Sequence, residues 1–236
     1  MNKQETSDFN DYAKNYREVH TKNIKHVSGA DSFYFSEQKV QELSRFEKDQ
    51  KFKLLDIGCG DGASEVFFHQ YFPQVEIEGI DISDESVLFA QNRNIPNCNF
   101  QVYDGKRIPF PDLSFDVIFI ACVLHHIQQK DHVEFLKEAF RLLKKNGRLY
   151  LFEHNPLNPI TKYVVRNCEF DKGVKLIWPN SLKNQLFELG FKSIIVNYTL
   201  FFPRYRFFKP FLTLEKYLKK FPVGGQYYFR AIKNYL

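Results

Sequence analysis

Leu54-Leu55-Asp56-Ile57-Gly58-Cys59-Gly60-Asp61-Gly62 is the stretch on which the fold turns. Its apolar start suits a buried strand. Three glycines within five residues let the chain turn tightly without a Cβ clash and let a ligand lie against the backbone. Ala63 to Tyr71 then has the pattern of a helix, which Pro73 helps to end. A second strand, Val75 to Ile80, closes on Asp81, 19 residues after Gly62. A short helix from about Asp84 to Asn92 leads to a strand near Asn99 to Tyr103, which stops at Asp104. Phe115 to Ile120 is the most continuous apolar run, as expected of a strand covered on both faces. Lys130 to Lys144 is helical, Asn146-Gly147 is expected to stop it, and Arg148 to Glu153 is another strand. Strand and helix therefore alternate, which means an α/β fold with a mostly parallel sheet and right-handed crossovers.

The flanks extend this frame. Phe9, Tyr12, Ala13 and Tyr16 recur at helical spacing, and a second helix is expected from Ser36 to about Glu47. After the fifth strand, residues 154–177 carry Pro156 and Pro159 and little periodicity, so a loop or small insertion is expected there. Asn180 to Leu189 returns to helix, with Gly190 as its cap. Lys192 to Thr199 and Tyr227 to Ile232 are the last two strands, an antiparallel pair. The expected organisation is one domain, 1–236: a helical N-terminal lid at 1–48, a ligand-binding core at 49–153, an acceptor-side loop or insertion at 154–180, and a C-terminal helix and strands at 181–236.

Composition narrows the class. With 44% hydrophobic residues the chain can bury a core, yet it has no run long and apolar enough for a membrane span. The N-terminal residues lack the apolar stretch of a signal peptide, so a cytoplasmic location is the expectation. Cys59, Cys98, Cys122 and Cys168 form no CxxC pair or Cys/His cluster, so neither a metal site nor a disulfide framework is expected. The net charge of +5 is concentrated: residues 201–236 hold eight Lys or Arg against the single acid Glu215, and 12 of the 40 aromatics.

Five segments together resemble the class I S-adenosylmethionine-dependent methyltransferases, in the small-molecule, type 11-like group. They are Leu55 to Gly62, Gly79-Ile80-Asp81-Ile82-Ser83, Asp104 to Phe110, Ser114 to Ile118 with Val123-Leu124-His125-His126-Ile127, and Leu142 to Gly147. They occur in order over about 100 of the 236 residues. The resemblance implies a Rossmann-like sheet of seven strands whose antiparallel last strand lies between the fifth and sixth. It implies S-adenosyl-L-methionine as cofactor, with S-adenosyl-L-homocysteine as product. Gly58, Cys59 and Gly60 would pass its amino-acid part, Asp81 would hold its ribose, Asp104 beside Gly105 would read its adenine, and the backbone at Ala121 and Cys122 would line its other side. The residues themselves point the same way. Asp81 can accept hydrogen bonds from two ribose hydroxyls, and Ile82 can pack on an adenine face. The same carboxylate would serve NAD, but Asp56 before the glycines would repel a pyrophosphate, and Asp104 can accept from an adenine amino group.

The acceptor side is read from the residues that leave the strand ends. His125 and His126 follow the fourth strand, and a neutral imidazole there can take a proton, with His126 the first choice of base. Glu153, His154 and Asn155 follow the fifth, where His154 or Glu153 is expected to touch the acceptor or organise the pocket. Tyr12 and Tyr16 lie in the region that forms a lid in the family, Tyr16 closing on the methionine carboxylate. Arg166 is a candidate for an anionic acceptor, or for a pair with Asp171. The expected substrate is a small or lipid-like molecule, methylated on oxygen, in glycan, lipid or secondary-metabolite biosynthesis. Rival readings are an NAD-dependent oxidoreductase, for which no Tyr-x-x-x-Lys follows the fourth strand, and a non-catalytic partner subunit. The basic aromatic run through 201–221, with a short basic helix expected from Glu215 to Phe221 and ended by Pro222, suits an anionic membrane surface at the inner face, an apolar substrate or a dimer face. No RNA-binding module is recognisable, so nucleic acid is not the expected partner; monomer and homodimer both stay open.

Overall fold

The computed structural model describes residue 25, residues 28–168, residue 171 and residues 173–234. Strand β1, Lys53–Ile57, pairs in parallel with both β2, Glu76–Asp81, and β4, Phe115–Ala121. Beyond β2 lies β3, Cys98–Val102; beyond β4 lies β5, Leu143–His154. Two C-terminal strands complete the sheet: β6, Phe191–Thr199, at the edge, and β7, Gln226–Lys233, inserted antiparallel between β5 and β6. The seven strands run in the order β3-β2-β1-β4-β5-β7-β6. Strand order reverses between β1 and β4, which opens a crevice at their carboxyl ends.

Both faces of the sheet are covered, which is why its central strands read as continuous apolar runs. Leu55, Ile57, Ile118, Ile120, Leu149 and Leu151 pack on one face. There they meet α4, His132–Leu142, and α6, Pro179–Glu188. Leu54, Val117, Phe119, Tyr150 and Phe152 face the other way, toward α1, Ser32–Ser44, and α2, Ala63–Tyr71. Helix α3, Asp84–Asn92, is capped by Ser83, whose hydroxyl accepts the Ser86 N–H at 3.1 Å. Asp31 caps α1 by accepting the Tyr34 N–H at 3.0 Å.

The sequence expectation fails in three places. Residues 154–177 are not simply irregular: α5 spans Pro159–Asn167, because Asn158 accepts the Thr161 N–H at 2.9 Å and Pro159 occupies the first helical turn. The helix expected through Lys144 ends at Leu142, and β5 starts at once. Asn146, at φ 62°, does turn the chain, but inside β5, where the register against β4 jumps between Phe115 and Val117. The helix expected at Glu215 to Phe221 stops at Leu218, because the Lys219 carbonyl accepts the Tyr198 N–H at 2.7 Å and draws the chain to β6.

Candidate active site

A cavity of about 1220 Å³ opens at the carboxyl edge of the sheet, where the β1 and β4 loops part. The glycine loop forms its floor. Gly58 sits at φ 84°, and a Cβ there would fall 2.3 Å from Val123 Cγ2, so only glycine fits. Gly60, at φ 55°, has nothing within 4 Å of the place a Cβ would take, so its backbone is open to a ligand. Asp81 anchors this loop: Oδ2 accepts the Gly60 N–H at 2.9 Å and Oδ1 the Ser83 N–H at 3.0 Å. A carboxylate has about four acceptor positions, so two stay available for hydroxyls of a ligand. Ile82, Tyr103, Gly105, Ala121 and Cys122 line the same end.

Three charged groups beside the loop are almost wholly buried. Burial raises both Asp56, to about 8, and the neighbouring Glu65; the charge of Asp81 adds to the first rise and that of Asp56 to the second, so the pair retains a proton at neutral pH. Asp56 Oδ1 lines the cavity and has no hydrogen-bond partner in the structure. Lys39 of α1 is 8% exposed and also lines the cavity. Its Nζ donates to the Phe35 carbonyl at 3.2 Å, and no carboxylate among the described residues lies within ion-pair distance. An orphaned carboxylate oxygen and a buried ammonium across one loop suit a ligand that carries both an ammonium and a carboxylate. An open glycine loop and a hydroxyl-accepting Asp81 suit a ribose beside it, so the residues present fit S-adenosylmethionine.

The other end of the cavity is built around histidines. His125 is buried; its Nδ1 donates to Glu153 Oε2 at 2.6 Å, and its Nε2 lies 3.5 Å from Asp171 Oδ1. Burial opposes a charge on this ring, but Glu153 and Asp171 outweigh it and push the pKa up to about 10. His125 is therefore an imidazolium between two carboxylates, both held below the usual range despite burial. His126 and His154 behave in the opposite sense. Burial, and then the charge on His125, lowers them to about 4 and about 3, so both are neutral at pH 7. His126 Nε2 lies 3.5 Å from Asp171 Oδ1, and both rings line the cavity. His125, His126 and Asp171 thus gather within 4.8 Å, a set that local spacing did not reveal because Asp171 arrives from beyond α5. In this protonation state His125 donates from both ring nitrogens, which leaves His126 and His154 as the neutral rings of the cluster.

The Glu153 carboxylate is spent on this frame, since its Oε1 also accepts the Leu124 N–H at 2.9 Å. Glu153→Gln is expected to cost about 3–5 kcal/mol, the usual penalty for breaking a buried pair. Glu153 has a lowered pKa, so its contribution is present above about pH 4.5 and fades as pH falls. His125 has a raised one, so its contribution is whole below about pH 6.5 and fades as pH rises toward about 10. Urea midpoints of the two proteins should differ most near pH 5–6.5 and converge toward pH 10; a constant gap across pH would mean that the pair is not the cause.

Among the residues singled out from sequence, Asp56, Gly58, Cys59, Gly60, Asp81, Ile82, Gly105, Ala121, His125, His126 and His154 all line this cavity. Asp104 does not: it is exposed, and its Oδ1 accepts the Lys106 N–H at 2.9 Å, the turn-capping role. Glu153 and Asn155 are fully buried behind the wall, Asn155 donating to the Pro222 and Gly224 carbonyls at 3.1 and 2.7 Å. Arg166 is exposed on α5, away from the cavity, and Asp171 pairs with the histidines instead. Tyr12 and Tyr16 lie outside the described residues. Sequence reasoning missed Lys39 and Glu65; Phe201, Phe202, Pro203 and Arg204, from the run expected to suit a membrane, an apolar substrate or a dimer face, line the cavity. Lys39 recurs at i+4 from Phe35, the only local signal that it shares the inner face of α1.

Residues 54–147 match a family model described as a methyltransferase domain. An uncharacterized methyltransferase, YcgJ of Bacillus subtilis (strain 168), is 35% identical over 113 residues, covering 46% of this chain and 43% of that protein. The 27-O-demethylrifamycin SV methyltransferase of Amycolatopsis mediterranei (strain S699) is 36% identical over 104 residues, covering 42% of this chain and 37% of its own length. The chain thus spans less than half the length of these curated relatives. A SAM-dependent methyltransferase of Thermotoga maritima shares the fold, with a TM-score of 0.70 at 19% identity over 96% of this chain and 98% of that one.

Proposed function

We propose that the chain is a class I S-adenosylmethionine-dependent methyltransferase of the small-molecule group and that it methylates an oxygen of a small or lipid-like acceptor. One observation carries the reading: a single cavity joins the Asp81 and glycine-loop end to two neutral histidines. S-adenosylmethionine, when bound, supplies a methyl group on a sulfonium that is already primed for displacement. At the donor end, Asp81 would hold ribose hydroxyls, Asp56 would serve the ammonium and Lys39 the carboxylate of the amino-acid part.

At the acceptor end, the chain orients a nucleophile and removes its proton. His126 is the base. The acceptor's O–H proton passes to the His126 ring, and Asp171, 3.5 Å from Nε2, becomes the counter-ion of the imidazolium so created. His125, already carrying both protons, does not serve as the base; with Glu153 it positions Asp171 and His126. Phe35 and Phe201 to Pro203 give the same cavity an apolar wall.

Calorimetric titration with S-adenosylhomocysteine and with NAD separates this reading from its rivals. Micromolar binding of the first and none of the second is expected. Release of S-adenosylhomocysteine in the presence of hydroxylated lipids or glycans is then the activity readout. NAD binding in its place, or no binding of either, would overturn the proposal in favour of an oxidoreductase or a non-catalytic partner.

A further inference from the structure

The cavity wall at Phe201 to Arg204 continues outward into a surface of unusual composition. Short helices α7, Lys209–Leu212, and α8, Glu215–Leu218, are too brief to bury a face of their own. Phe207 is 78% exposed, Tyr217 70%, Phe221 58% and Val223 61%. Helix α5 joins the same rim: Asn158 Nδ2 donates to the Val223 carbonyl at 2.7 Å, Thr161 Oγ1 to the Gly225 carbonyl at 2.8 Å, and Ile160 and Tyr163 are exposed beside them. Arg206, Lys209, Lys216 and Lys220 project among these rings, and none is paired with an acid among the described residues. The one acid of the segment, Glu215, is consumed internally: it binds Arg204 at 2.9 Å and accepts the Phe201 and Phe202 N–H groups at 3.1 and 3.2 Å.

We propose that this face, residues 205–223 with the exposed side of α5, docks the protein on an anionic lipid bilayer. Aromatic rings held at the surface by short turns suit the headgroup boundary, where an apolar body and a wet edge are both satisfied. Four cations with no exposed acid between them complement anionic headgroups. No helix among the described residues is long and apolar enough to cross a membrane. Ile160 lines the cavity and is also half exposed, so docking sets the cavity mouth against the bilayer, where an apolar acceptor is concentrated.

Vesicle sedimentation tests this without reference to catalysis, so it fails or succeeds independently of the methyl-transfer reading. Binding to phosphatidylglycerol-rich vesicles and not to pure phosphatidylcholine vesicles is expected. Lys209→Gln with Lys220→Gln should weaken that binding about fivefold per cation removed. Phe207→Ser with Tyr217→Ser should weaken it further at unchanged charge. S-adenosylhomocysteine affinity should stay the same in both variants, which shows that they fold. No binding to anionic vesicles, binding that neither variant weakens, or a dimer that the aromatic variant dissociates would each overturn the proposal.

Discussion

Asp81→Ala is expected to lower affinity for S-adenosylhomocysteine by about a hundredfold or more. Two hydrogen bonds from ribose hydroxyls to a carboxylate are worth about 1.5–3 kcal/mol each, and ~3 kcal/mol at the low end is already about a hundredfold in Kd. The loss has a second source. Asp81 also fixes the loop, through the Gly60 N–H at 2.9 Å and the Ser83 N–H at 3.0 Å, so the variant loosens the backbone against which the amino-acid part lies. Asp81→Asn should be nearly as damaging, because its amide must turn a donor toward one of those two N–H groups. Calorimetry reads the affinity, and the thermal transition of the ligand-free protein shows whether the sheet survives. A folded Asp81→Ala protein with unchanged affinity would remove Asp81 from the site.

Much of this fold was legible in sequence for local reasons. Gly58, Gly60 and Asp81 act through backbone geometry and short spacing, and both are written along the chain. The antiparallel strands at the C-terminus were equally readable, because alternation and Gly190 bracket them. Reading failed where a side chain's partner comes from far away. Glu153 reads as a residue that leaves a strand at the active edge, yet His125 and the Leu124 N–H, some 28 residues back, claim both its oxygens. Asp104 looks like a ligand reader because it ends a strand, but the nearby Lys106 N–H competes for it first. Asp171 carries no local mark, and Lys39 only its i+4 spacing from Phe35. They matter because α5 and α1 bring them to the same cavity, and helix packing decides that.

The cationic aromatic tail shows the same limit from another side. Composition marked it as basic and apolar, without saying which cations are free to act. In the folded chain Arg204 is tied to Glu215 and Lys219 to Glu42, so two of the charges hold the wall in place. Those left at the surface are the ones spaced between exposed rings. Net charge therefore overstates the docking face, and burial of specific partners corrects it.

His126→Ala is expected to lower kcat by about 10²–10⁴, the usual worth of a positioned general base, while leaving S-adenosylhomocysteine affinity unchanged. The pH dependence makes the claim sharper. A base of ordinary pKa would impose an acid limb near pH 6.5. His126 is held down to about 4 by burial and by the neighbouring His125 imidazolium, so it is unprotonated throughout the neutral range. Wild-type kcat should therefore stay flat from about pH 5.5 to 8.5 and fall only as pH approaches the His126 value. Such a base is weak in the ground state, and Asp171 compensates by stabilising the imidazolium as it forms. Asp171→Asn should thus lower kcat with little change in KM and, by relieving the His125 imidazolium of one counter-ion, bring the His125 pKa down from about 10. That shift is readable by NMR titration of the imidazole protons, whereas a merely structural Asp171 would leave the His125 titration where it was. Full activity in His126→Ala would instead leave deprotonation to the acceptor itself or to His154, whose ring is equally neutral and lines the same wall.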